Sequence, residues 1–204
     1  MRARRVGMFG GAFDPPHNGH VALVQAALAQ LRLDELRVVP TGHAWHKPRP
    51  LSPASYRLAM CELAFGALPG VVVDDRETRR AGPTYTIDTL RELAAEQPGA
   101  QLYLVMGADQ ARALPTWHRW QDLLQITIIS IAERQEPVTA EAGFDSNNFP
   151  QGRFEPLQLP LMPVSATEVR ALAARPHNAG RGIAQLVPAA VARYIEQHHL
   201  YLAP

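Results

Sequence analysis

Two histidines three residues apart, His17 and His20, lie in the stretch Gly10-Gly11-Ala12-Phe13-Asp14-Pro15-Pro16-His17-Asn18-Gly19-His20. An apolar run at 6–9 precedes it, and an alanine- and leucine-rich segment at 21–31 follows it. The sequence reads as strand, glycine-rich loop, helix. Such a junction suits phosphate, because small residues let the backbone approach while a helix N-terminus offers unpaired N–H groups and a positive dipole end. Imidazole N–H groups there add donors for phosphate oxygens. Glycines alone would mean little, since tight turns need them for steric reasons, and so would an isolated His-x-x-His. The signal is their combination after a strand.

A second candidate is Ser165-Ala166-Thr167-Glu168-Val169-Arg170. Ser165 and Glu168 have capping-box spacing, so a helix should start here. The plainer reading is a cap and nothing more. The functional reading is a second phosphate cradle, in which the Ser165 and Thr167 hydroxyls flank a helix N-terminus and Arg170 lies one turn on. Within Thr41-Gly42-His43-Ala44-Trp45-His46-Lys47, Lys47 offers a cation to a triphosphate, or is a solvated loop lysine. His43 and His46 join His17 and His20 as two His-x-x-His pairs, for which zinc is the rival reading. The first pair sits in a phosphate loop and no cysteine or carboxylate cluster joins the second, so phosphate is favoured.

Further blocks complete the inventory. Asp75-Arg76-Glu77 precedes Gly82-Pro83-Thr84-Tyr85-Thr86-Ile87-Asp88-Thr89-Leu90, and Gly107-Ala108-Asp109 precedes Leu114-Pro115-Thr116-Trp117-His118-Arg119-Trp120. Trp117, in a loop after a strand, offers a face on which a planar ring stacks, although an anchor into the core is an equal reading of the residue alone. Asp109, at a strand end, accepts hydrogen bonds from an adenine amino group or a ribose; otherwise it caps a helix.

The elements that must position these residues alternate. Strands are expected at 6–9, 36–40, 71–74, 101–107 and 126–132, and helices at 19–31, 54–67, 86–97, 168–174 and 188–198. A loop is expected at 41–53, and 133–158 reads as a long irregular loop or small lobe. Alternation of this kind argues for an α/β fold, a doubly wound, mostly parallel sheet with helices on both faces. Ligands then bind at the carboxyl ends of strands, which is where the glycine-rich loop falls. No domain boundary is visible, so one domain over 1–204 is expected, with the C-terminal helices from about 165 included. The 204 residues carry a net charge of +1 and are 47% hydrophobic, so a sizeable core is affordable and a basic nucleic-acid-binding stripe is absent. The lone cysteine, Cys61, reads as a buried core thiol. The apolar run after the basic N-terminus is too short for a signal peptide or membrane span, so no membrane partner and a cytoplasmic location are expected.

Gly11, Phe13, Asp14, His17, Gly19 and His20 meet every fixed position of G-x-F-D-x-x-H-x-G-H, a block that resembles the signature of the nucleotidyltransferase superfamily. Residues 165–170 resemble the same superfamily's S-[ST]-T-x-[IV]-R motif, with Ala166 where a second hydroxyl often stands. The order of all these blocks, through H-K, D-x-R-E, P-[ST]-Y-T, G-x-D and P-T-W, resembles that of the bacterial nicotinate-nucleotide adenylyltransferases along essentially the whole chain. That resemblance implies a Rossmann-like fold and adenylyl transfer from ATP to nicotinate mononucleotide with magnesium, giving deamido-NAD and pyrophosphate in NAD biosynthesis. It implies that Gly10, Gly11, Phe13, His17, Gly19 and His20 line the ATP site, and that Lys47, Ser165, Thr167 and Arg170 meet its phosphates. Gly107 and Asp109 would lie by the adenosine. Thr84, Tyr85, Thr86, Trp117 and His118 would hold the mononucleotide, together with Lys47, with backbone N–H groups near the turn and Trp117 recognising the carboxylate. His17, His20, Arg170 and Lys47 would carry catalysis. One departure stands out: where the family often shows R-[RP]-x-G, this chain reads Ala132-Glu133-Arg134-Gln135, so the arginine is either missing or displaced to Arg134. The alternatives are a relaxed or different acceptor, such as nicotinamide mononucleotide, and a non-catalytic nucleotide-binding protein. A homo-oligomer is left open.

Overall fold

The computed structural model describes residues 2–42, 50–134, 144–160, 162–175 and 182–202, without the side chains at 133 and 134. Its strands come from runs that are apolar on both faces, the pattern of a sheet covered on both sides. In β1 (Arg5–Gly11) Val6 and Met8 face one layer and Phe9 the other. In β4 (Gln101–Gly107) Leu102, Leu104 and Met106 alternate in the same way with Tyr103 and Val105. With β2 (Glu35–Pro40), β3 (Val71–Val73), β5 (Ile128–Arg134) and β6 (Arg153–Leu159), they form a six-stranded sheet in the order β3-β2-β1-β4-β5-β6. Every pairing is parallel. The order runs outward from β1 to β3, then restarts at β4 on the other side of β1, where Phe9 faces Val105. The switch point therefore lies between β1 and β4, and the carboxyl ends of these strands are where a sheet of this kind binds its ligand. This is the Rossmann-like arrangement expected from the alternation.

Three apolar clusters fix the helices. On one face α1 (Asn18–Gln30) and α2 (Ala54–Phe65) bury Leu23, Val24, Ala27, Cys61 and Phe65 against Phe9, Val38, Tyr103 and Val105. Burial pushes the Cys61 thiol up, so it stays protonated and serves as packing. On the other face α4 (Thr86–Glu96), α5 (Ala108–Ala113) and α6 (Trp120–Ile126) cover Met8, Leu104 and Ile129 with Ile87, Leu90, Leu93, Ala111 and Leu123. The third cluster joins α7 (Ala166–Ala173) and α8 (Ala189–Gln197) to α2 through Val169, Ala173, Val191, Ile195 and Met60. None of the described helices is long and apolar enough to cross a membrane.

Three expectations change. The 133–158 stretch is not wholly irregular: β6 begins inside it, paired from Ile128↔Arg153 onward. As an edge strand it buries only Leu157 and carries Pro156, so it lacks both the apolar run and the alternation that identify a strand. Ile126 closes α6 rather than opening a strand; Thr127 donates its hydroxyl to the Leu123 carbonyl at 2.9 Å, and β5 starts after it. Finally α3 (Arg76–Arg79), α5 and α6 are too short to show a helical period in sequence.

Candidate active site

The glycine-rich loop leaves β1 and is pinned from below. Phe13 is 2% exposed, with its ring edge-on to Phe9, Phe65 and His20 at 5.3, 5.8 and 5.2 Å between centroids. A Cβ on Gly11 would stand 3.0 Å from that ring, so glycine is what lets the loop fold back over Phe13. Asp14 is buried. Its carboxylate accepts the Tyr201 hydroxyl at 2.7 Å and the Ser52 N–H at 3.1 Å. Burial, reinforced by the Asp14 charge, pushes the Tyr201 hydroxyl up and keeps it a donor. Arg57 gathers the surrounding backbone: it donates to the carbonyls of Ser52 at 2.9 Å, Ala12 at 3.0 Å and Gly42 at 3.3 Å. Burial lowers its affinity for the proton while the Asp14 charge raises it. Gly10, at the end of β1, would place a Cβ 3.6 Å from the Met8 side chain.

At the start of α1 the two histidines form one unit. Their rings stack with centroids 3.6 Å apart and planes 19° from parallel. The His17 backbone N–H donates to His20 Nδ1 at 3.1 Å, which assigns the neutral His20 proton to Nε2. Burial, and then the proximity of His17, hold the His20 imidazole well below its ordinary range. The free site therefore presents a neutral N–H donor. Rings stacked this way aim their in-plane lone pairs side by side rather than at one tetrahedral centre, which argues against a shared zinc. Among the described residues no group of three or more His, Cys, Asp or Glu is placed to hold a metal ion. Asn18 ties this helix start to the C-terminal region, its N–H to the Leu186 carbonyl and its side chain to the Gln185 carbonyl, both at 2.9 Å. Gly19 permits the approach, since a Cβ there would lie 3.1 Å from Val164.

The 165–170 block meets the glycine-rich loop. Ser165 caps α7, accepting from the Glu168 N–H at 3.2 Å. Arg170 donates to Thr167 Oγ1 at 3.0 Å and, across the fold, to the Asp14 carbonyl at 2.8 Å. One guanidinium thus joins the C-terminal helix to the signature loop at the carboxyl end of β1.

The remaining blocks meet on the other side of the switch point. The Thr41 N–H donates to the Gly11 carbonyl at 2.9 Å, holding the end of β2 to the end of β1. The Thr41 and Thr84 hydroxyls lie 3.2 Å apart. Tyr85 precedes α4, which Thr86 begins, and the Tyr85 ring lies 4.3 Å from His118. Trp117 follows a 3-10 turn at Leu114–Thr116, and it is half-buried with Tyr85 against a cluster that includes Ile87, Leu90 and Leu114. The turn at 84–86 and the tryptophan loop are thus neighbours in space. Gly107 ends β4, and a Cβ there would meet nothing within 4 Å, so the backbone is open to approach at that point. The Asp109 side chain is 79% exposed and pairs with Arg112. It lies in the first turn of α5 and is not its cap. Lys47, His43 and His46 lie outside the described residues, as do the Arg134 side chain and Gln135.

Arg57 and Tyr201 were not singled out in the sequence. Arg57 carried a signal: it occupies a core position of α2, in the stripe Arg57, Met60, Cys61, Phe65. A lone arginine on an apolar stripe marks a buried cation with partners to find. Tyr201 carried none, because its partner Asp14 is 187 positions away.

Residues 8–172 match the family model described as cytidylyltransferase-like. A protein of Albidiferax ferrireducens named "Probable nicotinate-nucleotide adenylyltransferase" is 57% identical over 198 residues, covering 97% of this chain and 98% of its own. One of the same name from Pseudomonas aeruginosa is 40% identical over 215 residues, covering 98% and 99%. In structure, the Plasmodium falciparum nicotinic acid mononucleotide adenylyltransferase complexed with NaAD superposes with a TM-score of 0.76, covers 97% of each chain and shares 18% identity, a likeness of fold.

Proposed function

The chain belongs to the cytidylyltransferase-like family and, within it, to the nicotinate-nucleotide adenylyltransferases, and from that premise we propose how its residues perform the reaction. It transfers the adenylyl group of ATP to nicotinate mononucleotide, releasing pyrophosphate and forming deamido-NAD, a step of NAD biosynthesis. The observation that carries this reading is the Arg170 contact to the Asp14 carbonyl, which brings the 165–170 block to the glycine-rich loop at the carboxyl end of β1, where two helix starts could both meet phosphate.

An oxygen of the mononucleotide phosphate attacks the α-phosphorus of ATP in line. The bond from that phosphorus to the bridging oxygen breaks, and its electron pair leaves with pyrophosphate. A phosphate monoester is already anionic at neutral pH, so no general base is needed, and the chain's task is positioning and charge stabilisation. His20, neutral and carrying its proton on Nε2, donates to the α-phosphate oxygens, with His17 stacked on it. Arg170 and Lys47 grip the departing pyrophosphate, and the Ser165 and Thr167 hydroxyls line its path. Gly10, Gly11, Gly19 and the backbone at Phe13 let the triphosphate approach. The Phe13 ring itself holds the loop from beneath. Gly107 gives room for the adenosine, and Asp109, exposed beside it, takes its polar edge once the nucleotide is seated. The turn formed by Thr84, Tyr85 and Thr86 receives the nicotinate with His118 beside it, and Trp117 stacks on the ring. Magnesium bound with ATP would neutralise phosphate charge; it would be held mainly by phosphate oxygens and water, since no carboxylate cage forms among the described residues and the Asp14 carboxylate is engaged by Tyr201 and Ser52.

A pyrophosphate-release assay with ATP and magnesium tests the reading. Release that depends on added nicotinate mononucleotide is expected. Binding of ATP with no release would leave a nucleotide-binding protein and refute the reaction.

A further inference from the structure

Asp75-Arg76-Glu77 has no part in the account above, yet Glu77 lies at the centre of a polar cluster. It is 5% exposed on the short helix α3. Thr89 donates its hydroxyl to Glu77 Oε1 at 2.7 Å, and the Thr41 and Thr84 hydroxyls, 3.2 Å from each other, lie near enough to favour the charged carboxylate. Arg80 stands beside it, donating to Thr89 Oγ1 at 3.2 Å. Burial raises the Glu77 carboxyl, and these hydroxyls and the Arg80 charge oppose that rise. The backbone joins in: a Cβ on Gly42 would lie 2.1 Å from the Glu77 carbonyl, so only glycine lets the end of β2 seat on α3. Nor can α3 drift, because Arg76 pairs with Asp74 at 2.7 Å and with Glu96 of α4 at 2.9 Å.

A carboxylate accepts from several donors at once, whereas the threonines alone could satisfy only one another. Thr41 ends the run from β2 beside the glycine-rich loop, Thr84 opens the turn before α4, and Thr89 lies one turn into that helix. We propose that Glu77 is a positioning residue for the acceptor nucleotide: its carboxylate holds the Thr89 hydroxyl and lies beside the Thr41–Thr84 hydroxyl pair, its carbonyl seats on Gly42, and the 84–86 turn is so kept at a fixed distance from the ATP loop. This rests on the reading that the turn receives nicotinate mononucleotide. The effect falls mainly on the acceptor, because Thr84 and Thr89 belong to the turn and to α4, whereas Thr41 keeps its backbone bond to the Gly11 carbonyl whatever its hydroxyl does.

Steady-state kinetics and hydrogen exchange on the whole enzyme test it. Glu77→Ala raises KM for nicotinate mononucleotide about tenfold, with KM for ATP within twofold. Glu77→Gln, which keeps an acceptor oxygen and the side-chain volume, stays within about threefold of the parent. Thr41→Val, a milder change in case the alanine variant folds poorly, raises the acceptor KM about threefold. In the free protein Glu77→Ala speeds amide exchange at 84–86 while leaving 12–14 unchanged, a readout that needs no acceptor. If the parent enzyme fails to use nicotinate mononucleotide, the proposed reaction falls, and exchange at 84–86 still judges whether Glu77 holds the turn. A fall in thermal stability with neither the acceptor KM nor the exchange altered overturns the inference, as does an equal rise in both KM values.

Discussion

Replacing Arg57 with methionine should be among the most damaging single changes outside the reacting groups. The guanidinium is 2% exposed and donates to three backbone carbonyls, those of Ser52, Ala12 and Gly42, with the Asp14 charge nearby. A hydrogen bond from a charged donor contributes about 1.5–3 kcal/mol, but three bonds from one group are not additive. A closer guide is the cost of leaving the buried carbonyls of Ser52, Ala12 and Gly42 without a donor, about 1–3 kcal/mol each and less than additive, so about 3–5 kcal/mol in all. For a chain of this length each kcal/mol moves Tm by about 2–4 °C, so Arg57→Met should lower Tm by about 6–20 °C. Arg57→Lys keeps the charge but not the planar fork, and should lose about 1–3 kcal/mol. Urea unfolding of both variants beside the parent measures this directly. A methionine variant within 1 kcal/mol of the parent would refute the view that Arg57 ties the Ala12, Gly42 and Ser52 backbone together. A lysine variant as stable as the parent would refute the role given to the fork.

Three further outcomes follow from the site. His20→Ala should lower kcat by about 10² or more, the scale of losing one preorganised donor, and near-full turnover would remove His20 from the chemistry. Trp117→Ala should raise KM for the mononucleotide with little change in kcat, because stacking acts on ground state and transition state alike; an unaltered KM would count against the stack. Because His20 is held neutral in the fold, the unfolded chain binds its proton first, near pH 6.5, and the stability tied to this group is complete above that pH and falls as the pH drops below it. Between pH 7.5 and 5.5 the parent should therefore lose about 1 kcal/mol more in urea unfolding than His20→Gln, and equal losses would show that the imidazole titrates normally.

How far the sequence revealed this arrangement depends on the range of the cause. β1 and β4 were legible because both of their faces are buried, leaving a plain apolar run before a glycine. β6 was not, since an edge strand with one buried residue has almost no pattern of its own and is defined by its pairing to β5. The Ser165 cap was read from its spacing with Glu168 and stands as expected. Arg170 was legible as a cation near a helix start, but its bond to the Asp14 carbonyl spans 156 positions and belongs to the tertiary fold alone. Tyr85 and His118 were assigned to the same ligand through family resemblance, and their ring contact puts the two blocks side by side. The partners of the Asp14 carboxylate, Ser52 and Tyr201, come from two segments 38 and 187 positions away.

The most direct test of the central claim is the ratio of kcat/KM for nicotinate mononucleotide to that for nicotinamide mononucleotide, measured by pyrophosphate release under one set of conditions. Backbone N–H groups by the 84–86 turn and Trp117 that meet a carboxylate lose charge-assisted bonds when it becomes a carboxamide, about 1.5–3 kcal/mol for each bond. The account predicts a ratio of at least about 10² in favour of nicotinate mononucleotide. Equal use of the two would contradict it, and would point to Ala132-Glu133-Arg134, where this chain departs from the family's R-[RP]-x-G pattern.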